Sequence, residues 1–186
     1  MASETGRFVL AAPGLSGMDA TIRPYDPGRD RAALWELKTG FETGLGEGTG
    51  GDEKQAAYEA KLDDAYRADW LDWVDRCVAD DQRCVTVASA PDDDGGETLL
   101  GYVFVLPERL AFVWDAAVLN ELYVVPAARG SGVADDLLDA AIALARDQSL
   151  PLDRLVLDVD RENARANAFY DRHGFAHWGE MVAREL

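Results

Sequence analysis

The stretch from Leu119 to Gln148 constrains the fold of this chain more than any other. An apolar strand ends in Val124-Val125-Pro126, the turn Ala127-Ala128-Arg129-Gly130-Ser131-Gly132 follows, and an amphipathic helix begins at about Val133. A strand that feeds a glycine-rich turn opening a helix makes an anion site, because unpaired backbone N–H groups and the positive end of the helix dipole converge there. A phosphate-bearing ligand is the first expectation.

The 186 residues suffice for one ordinary domain with a sizeable core and are short for two. Residues 1–19 read as a flexible leader, only weakly signal-like at Phe8-Val9-Leu10-Ala11-Ala12, and 20–186 as a single domain. No apolar run approaches the roughly 18 to 20 residues of a membrane-spanning helix. Cys77 and Cys84 are the only cysteines, too few for a disulfide framework and without metal-ligand spacing to His173 and His177. A reducing cytoplasm and no metal are expected. Net charge is −17, and Lys38, Lys54 and Lys61 are the only lysines. Such a field disfavours nucleic acid and anionic membrane surfaces and draws in a cationic ligand such as an amine, although acidity serves solubility before function.

Taken in order, Ala20–Tyr25 reads as a short edge strand and Asp30–Lys38 as a short helix stopped at Gly40. Residues 41–52 carry five glycines and read as a loop, either a flap over a substrate or plain disorder. The pattern from Glu53 to Asp80, with Tyr58, Leu62, Tyr66, Trp70, Trp73 and Cys77 mostly three or four apart, predicts one long helix whose aromatic stripe belongs to the core. Strands at 83–89 and 98–106 should pair as a hairpin, and Ala111–Trp114 is either a short strand or an irregular link. Beyond the helix that follows the glycine turn, a strand is expected at 154–159, a helix at 164–172 closed by Gly174, and a last strand at 177–185. This order describes an α/β or α+β domain with a mixed, mostly antiparallel sheet and one parallel crossover.

The glycine turn fits neither common nucleotide pattern. A nucleoside triphosphate loop needs Lys followed by Ser or Thr after its second glycine, where Val133-Ala134 stands; a dinucleotide fingerprint needs a small residue where Asp135 stands. What remains, Arg129-x-x-Gly132-x-Ala134, resembles the Arg/Gln-x-x-Gly-x-Gly/Ala loop of the GNAT superfamily of N-acetyltransferases. The tail from Asn163 through Ala166, Phe169 and Tyr170 to Gly174-Phe175 is similar to that family's second motif, in the right order and at the right separation. The resemblance runs from about Ala20 to the C-terminus and is closest from Leu119 to Phe175.

The resemblance implies a central sheet splayed in the middle, with acetyl-CoA as co-substrate in the gap. It assigns the acetyl and pantetheine arm to backbone groups of Leu122, Tyr123 and Val124. The pyrophosphate goes to backbone groups of Gly130, Ser131, Gly132, Val133, Ala134 and Asp135, with the Asp135 side chain turned away. Arg129 would contact phosphate by backbone or guanidinium, and Asn163 would bond the cofactor arm, cap the next helix, or both. The implied reaction is direct attack of a primary amine on the thioester in a ternary complex. An amine with a pKa of about 10 is mostly protonated at neutral pH, so a base is needed, and Glu121, a charge in an apolar run, is the candidate. The competing reading of Glu121 is a structural ion pair. Tyr170 would protonate the departing thiolate. A catalytically silent acetyl-CoA-binding regulatory module is the alternative function, and an acidic interaction domain without cofactor a third. The acceptor amine carries no motif here, and a homodimer is allowed by resemblance alone.

Overall fold

The Val- and Leu-rich runs flanking the Asp-Gly turn build the centre of the molecule, where β-branched side chains pack on both faces of a strand. The computed structural model describes residues 19–48, 51–92, 94–179, 181–182 and 184. The leader expected at residues 1–19 lies outside these, apart from Asp19. A five-stranded sheet has the order β1-β2-β3-β4-β5, formed by β1 (Thr21–Pro24), β2 (Val85–Pro91), β3 (Glu97–Val105), β4 (Ala117–Val124) and β5 (Leu155–Val156). The first three pairings are antiparallel and β4–β5 is parallel. The mixed, mostly antiparallel sheet expected from the sequence is the sheet observed. The stretch Ala111–Trp114, expected as a short strand or an irregular link, is no strand, its first three residues closing the 3-10 segment Glu108–Val113.

The β4–β5 pairing is short, joining only Ala117 to Leu155 and Val118 to Val156. Beyond it β4 runs on to Val124, paired on its other edge with β3. Its edge from Leu119 to Val124 therefore has no strand partner among the described residues. This is the splay. Helix α4 (Val133–Asp147) crosses over between the two strands and buries Val133, Leu137, Leu138, Ala141 and Leu144, a spacing of three and four that places one apolar stripe on the sheet. Helix α5 (Ala164–Arg172) follows β5. The core joins these residues to Val87, Tyr102, Val103, Phe104 and Leu119 of the sheet.

Three expectations fail in the first half of the chain. Helix α1 spans Pro27–Gly48, so Gly40 does not stop it, and residues 41–48 are helix instead of loop; Thr49 and Gly50 lie outside the described residues. Tertiary contacts outweigh the weak helix propensity of glycine here. Glu42 is buried in the extended part and tied to Lys38 one turn earlier. At Gly40 the missing side chain is used: a Cβ there would stand 2.5 Å from the Tyr123 hydroxyl. Gly40 is thus a notch that lets β4 send a phenol against the helix.

The helix expected over 53–80 is two, α2 (Gly51–Ala60) and α3 (Asp64–Asp80). Asp63 divides them as an N-cap whose carboxylate accepts from the Tyr66 N–H at 2.8 Å, satisfying a donor with no intrahelical partner. The strand expected at 154–159 shrinks to Leu155–Val156, because the chain leaves β4 after that point. No strand forms among the described residues of 177–185, where Trp178 lies under the Arg154 guanidinium at 5.4 Å; Glu180, Ala183 and Glu185 lie outside the description.

Candidate functional site

The glycine turn is built for backbone donation. Pro126–Ala128 form a 3-10 turn, and Gly130 and Gly132 have φ of 81° and 98°, a left-handed backbone that other residues adopt only with strain. Gly132 sits at the N-cap of α4, and its carbonyl accepts from Asp135 and Asp136 at 2.9 and 3.1 Å. The N–H groups of Gly130, Gly132, Val133 and Ala134 have no protein acceptor among the described residues. A Cβ on either glycine would meet nothing within 4 Å, so a ligand can approach these donors. Four free N–H groups at the start of a 15-residue helix fit a pyrophosphate. The Ser131 hydroxyl is turned inward and donates to the Ala128 carbonyl at 2.7 Å.

Around the turn the side chains sort by charge. The Asp135 carboxylate is drawn off by α5, 2.5 Å from the Arg172 guanidinium and 2.9 Å from His173 Nε2. Arg129 donates from Nε to the Val124 carbonyl at 3.2 Å. Burial and the nearby Arg129 guanidinium hold Arg165 below the ordinary arginine range. Neither arginine has a carboxylate partner among the described residues, in a chain of net charge −17. Uncompensated positive charge beside free N–H groups is what an anionic ligand requires.

Helix α5 carries Asn163 and Tyr170. Asn163 is the helix cap, its Oδ1 accepting from Ala166 N–H at 3.0 Å. The Tyr170 ring packs edge-on against Phe169 and Phe175 at 5.3 and 5.4 Å, and its hydroxyl has no hydrogen-bond partner among the described residues. Burial pushes this phenol up to about 12, so it keeps its proton throughout the neutral range.

Glu121 is on β4 and buried, 5% exposed. Its Oε1 accepts from Lys38 Nζ at 2.7 Å and Asn120 Nδ2 at 3.2 Å, and its Oε2 from the Tyr102 hydroxyl at 2.5 Å. Lys38 also lies 2.5 Å from Glu42 Oε1, which accepts from Tyr66 at 3.1 Å; Lys61 Nζ is 2.8 Å from Glu42 Oε2. Two carboxylates and two ammonium groups therefore balance in one cluster. Burial works against the Lys38 ammonium, but Glu121 and Glu42 outweigh it and lift its pKa above the usual lysine value. Burial likewise opposes the Glu42 carboxylate, and Lys38 and Lys61 hold it below the usual range nonetheless. Burial and then Glu121 push the Tyr102 phenol far up. A carboxylate offers about four acceptor positions, so with three in use one remains on Glu121 Oε2.

The structure thus gathers Leu122, Tyr123, Val124, Arg129 and the Gly130–Asp135 turn along one open edge that runs from β4 into α4. Sequence reasoning singled out Glu121 but missed Lys38, Glu42, Tyr66 and Tyr102 around it. The i to i+4 spacing of Lys38 and Glu42 was the available signal, hidden by reading Gly40 as a stop. Among the described residues no group of three or more His, Cys, Asp or Glu residues could hold a metal ion, and no helix is long and apolar enough to cross a membrane.

A model of the acetyltransferase (GNAT) family matches residues 51–175, more than half of the chain. A mycothiol acetyltransferase from Salinispora tropica is 42% identical over 89 residues, covering 42% of this chain and 29% of that protein. Another from Salinispora arenicola is 42% identical over 67 residues, 34% of this chain and 22% of that protein. The chain thus spans less than a third of the length of these curated relatives. Among solved structures, a PaiA N-acetyltransferase from Thermoplasma acidophilum in complex with coenzyme A aligns with a TM-score of 0.64 at 20% identity, over 86% of this chain and 91% of that one. An aminoglycoside antibiotic 6'-N-acetyltransferase from Acinetobacter haemolyticus aligns with a TM-score of 0.58 at 18% identity, over 89% and 97%. These two likenesses concern the fold.

Proposed function

The chain belongs to the GNAT family of acetyltransferases, and from that premise we propose that it transfers the acetyl group of acetyl-CoA to a primary amine by direct attack in a ternary complex. The observation that carries this reading is the turn at Gly130–Ala134, whose free N–H groups lie where β4 leaves β5 and α4 begins. Acetyl-CoA supplies the activated acyl group as co-substrate. Backbone groups of Leu122, Tyr123 and Val124 hold its acyl and pantetheine arm. N–H groups of the turn hold the pyrophosphate, with Arg129 as a nearby cation. Asn163 serves mainly as a cap, which leaves its amide nitrogen for the cofactor arm.

Glu121 is proposed as the base that takes the amine's proton through the acceptor position left on Oε2, water being the natural relay to so buried a group. The ammonium of Lys38, 2.7 Å from Oε1, fixes the position of this carboxylate. Tyr170 is proposed as the proton donor to the CoA sulfur: its phenol is protonated at neutral pH, and its oxygen has no hydrogen-bond partner among the described residues. Replacement of Tyr170 by Phe should lower kcat by about 100-fold or more, on the order of a general acid's contribution, with little change in acetyl-CoA affinity. No metal, nucleic acid or membrane partner is part of this proposal, and a cytoplasmic enzyme, as monomer or homodimer, is its setting.

The test is release of free thiol from acetyl-CoA against a panel of small amines, polyamines, aminoglycosides, amino acids and peptides. Thiol release with at least one amine, abolished when the amine is omitted, is expected. Binding of acetyl-CoA without release across the panel would favour the silent regulatory module instead.

A further inference from the structure

The two lysines of the buried cluster sit in different surroundings. Lys38 is enclosed, its side chain 3% exposed, between Glu42 and Glu121 and near the rings of Phe41 and Trp70. Lys61 is 36% exposed and stands on the turn between α2 and α3. Its ammonium lies 4.3 Å from the Tyr58 ring centroid, 5.3 Å from that of Tyr66, and 2.8 Å from Glu42 Oε2. Two aromatic faces and one carboxylate around an alkylammonium are the elements by which proteins recognise such cations. Here the chain fills the receptor with its own side chain.

Withdrawing Lys61 would unpack little. Its stem is on a turn, and Glu42 would keep Lys38 at 2.5 Å and the Tyr66 hydroxyl at 3.1 Å on its other oxygen. The vacated position would present a carboxylate oxygen and two ring faces to solvent. Glu42 and Glu121 share the Lys38 ammonium, so the contacts from this position lead through Lys38 to Glu121 of β4.

We propose that Glu42, Tyr58 and Tyr66 form a recognition subsite for an ammonium group of the acceptor, and that Lys61 occupies it until the acceptor displaces it. The acceptor class this implies is a diamine or longer polyamine, one ammonium held in the cage while a second amine reaches the acetyl group. The acceptor role rests on the acetyltransferase reading; the subsite itself rests only on the cage. The same contacts would also serve a plain staple between α1 and the α2–α3 turn, and the two roles differ in how Lys61 responds to a soluble dication.

The probe is 1,4-bis(trimethylammonio)butane, which can neither be acetylated nor consume an amine-directed reagent. Acylation of Lys61 by a succinimidyl acetate is followed on the full wild-type chain by peptide mass spectrometry, with and without saturating probe. Displacement should raise the labelling rate of Lys61 about fivefold or more, given the worth of a cation over two aromatic rings. An unchanged or slower rate would overturn the proposal. In parallel, calorimetry should show the probe binding Lys61→Ala about fivefold more tightly than wild type, with Lys61→Gln as the second variant; equal or weaker binding would also overturn it. Neither readout uses acetyl-CoA, so failure here leaves acetyl transfer standing, and failure of the thiol-release test leaves the cage untouched.

Discussion

The two sides of β4 solve the problem of holding charge in opposite ways. Toward α4 and α5, the turn at Gly130–Ala134 offers backbone N–H groups without a protein acceptor, and Arg129 and Arg165 nearby have no carboxylate partner among the described residues. Toward α1 and α3, Glu121, Lys38, Glu42 and Lys61 neutralise one another, with Tyr102 and Tyr66 as hydrogen-bond donors. The first is made by a conformation and the second by side chains 83, 24 and 19 residues apart. The first should therefore govern cofactor affinity and the second stability, and variants can separate the two.

Lys38→Ala should have the largest effect. It leaves two buried carboxylates facing each other without their shared ammonium, and breaking a buried pair on one side typically costs about 3 to 5 kcal/mol. Urea unfolding should show a loss of that order, while acetyl-CoA affinity of the folded protein stays near wild type. A loss under about 1 kcal/mol, the worth of an exposed pair, would mean that the cluster does not anchor α1 to the sheet.

Gly132→Ala should be milder in stability and stronger in binding. The new Cβ meets no atom within 4 Å, so its cost is the backbone strain of φ near 98°, about 1 to 2 kcal/mol. Relaxing that strain tilts the N–H groups of the turn away from a common point. Acetyl-CoA binding should fall about 10-fold, the equivalent of one charge-assisted hydrogen bond.

The same contrast explains what could be read from the sequence. The anion turn was legible because everything that makes it lies within some thirty residues: an apolar strand, glycines that tolerate left-handed backbone, and an amphipathic helix. The Asn163–Phe175 segment was legible for the same reason, its cap and closing glycine being local. Glu121 was visible as an anomaly, a charge in an apolar run, but its partners were not. Lys38 lies beyond β2 and β3 in the chain, and nothing local announces that α1 will cross β4 there. The glycines of 41–52 signalled a loop by propensity, and the buried Glu42 and the notch at Gly40 overruled them with contacts from distant elements. The break at Asp63 was written in the sequence as an Asp before a helix, but the continuous aromatic spacing on either side hid it. Splaying of β4 from β5 was implied only by resemblance, since strand length follows from where the neighbour goes.

A backbone turn, independent of the ionic cluster, is proposed to hold the cofactor. Calorimetric titration of acetyl-CoA into wild type, Gly132→Ala and Lys38→Ala, all below their melting temperatures, tests it most directly. The expected result is one site per chain in wild type, about 10-fold weaker binding in Gly132→Ala, and binding within about twofold of wild type in Lys38→Ala, less than one hydrogen bond's worth. No binding to wild type, or a Gly132→Ala variant that binds as tightly as wild type, would contradict it.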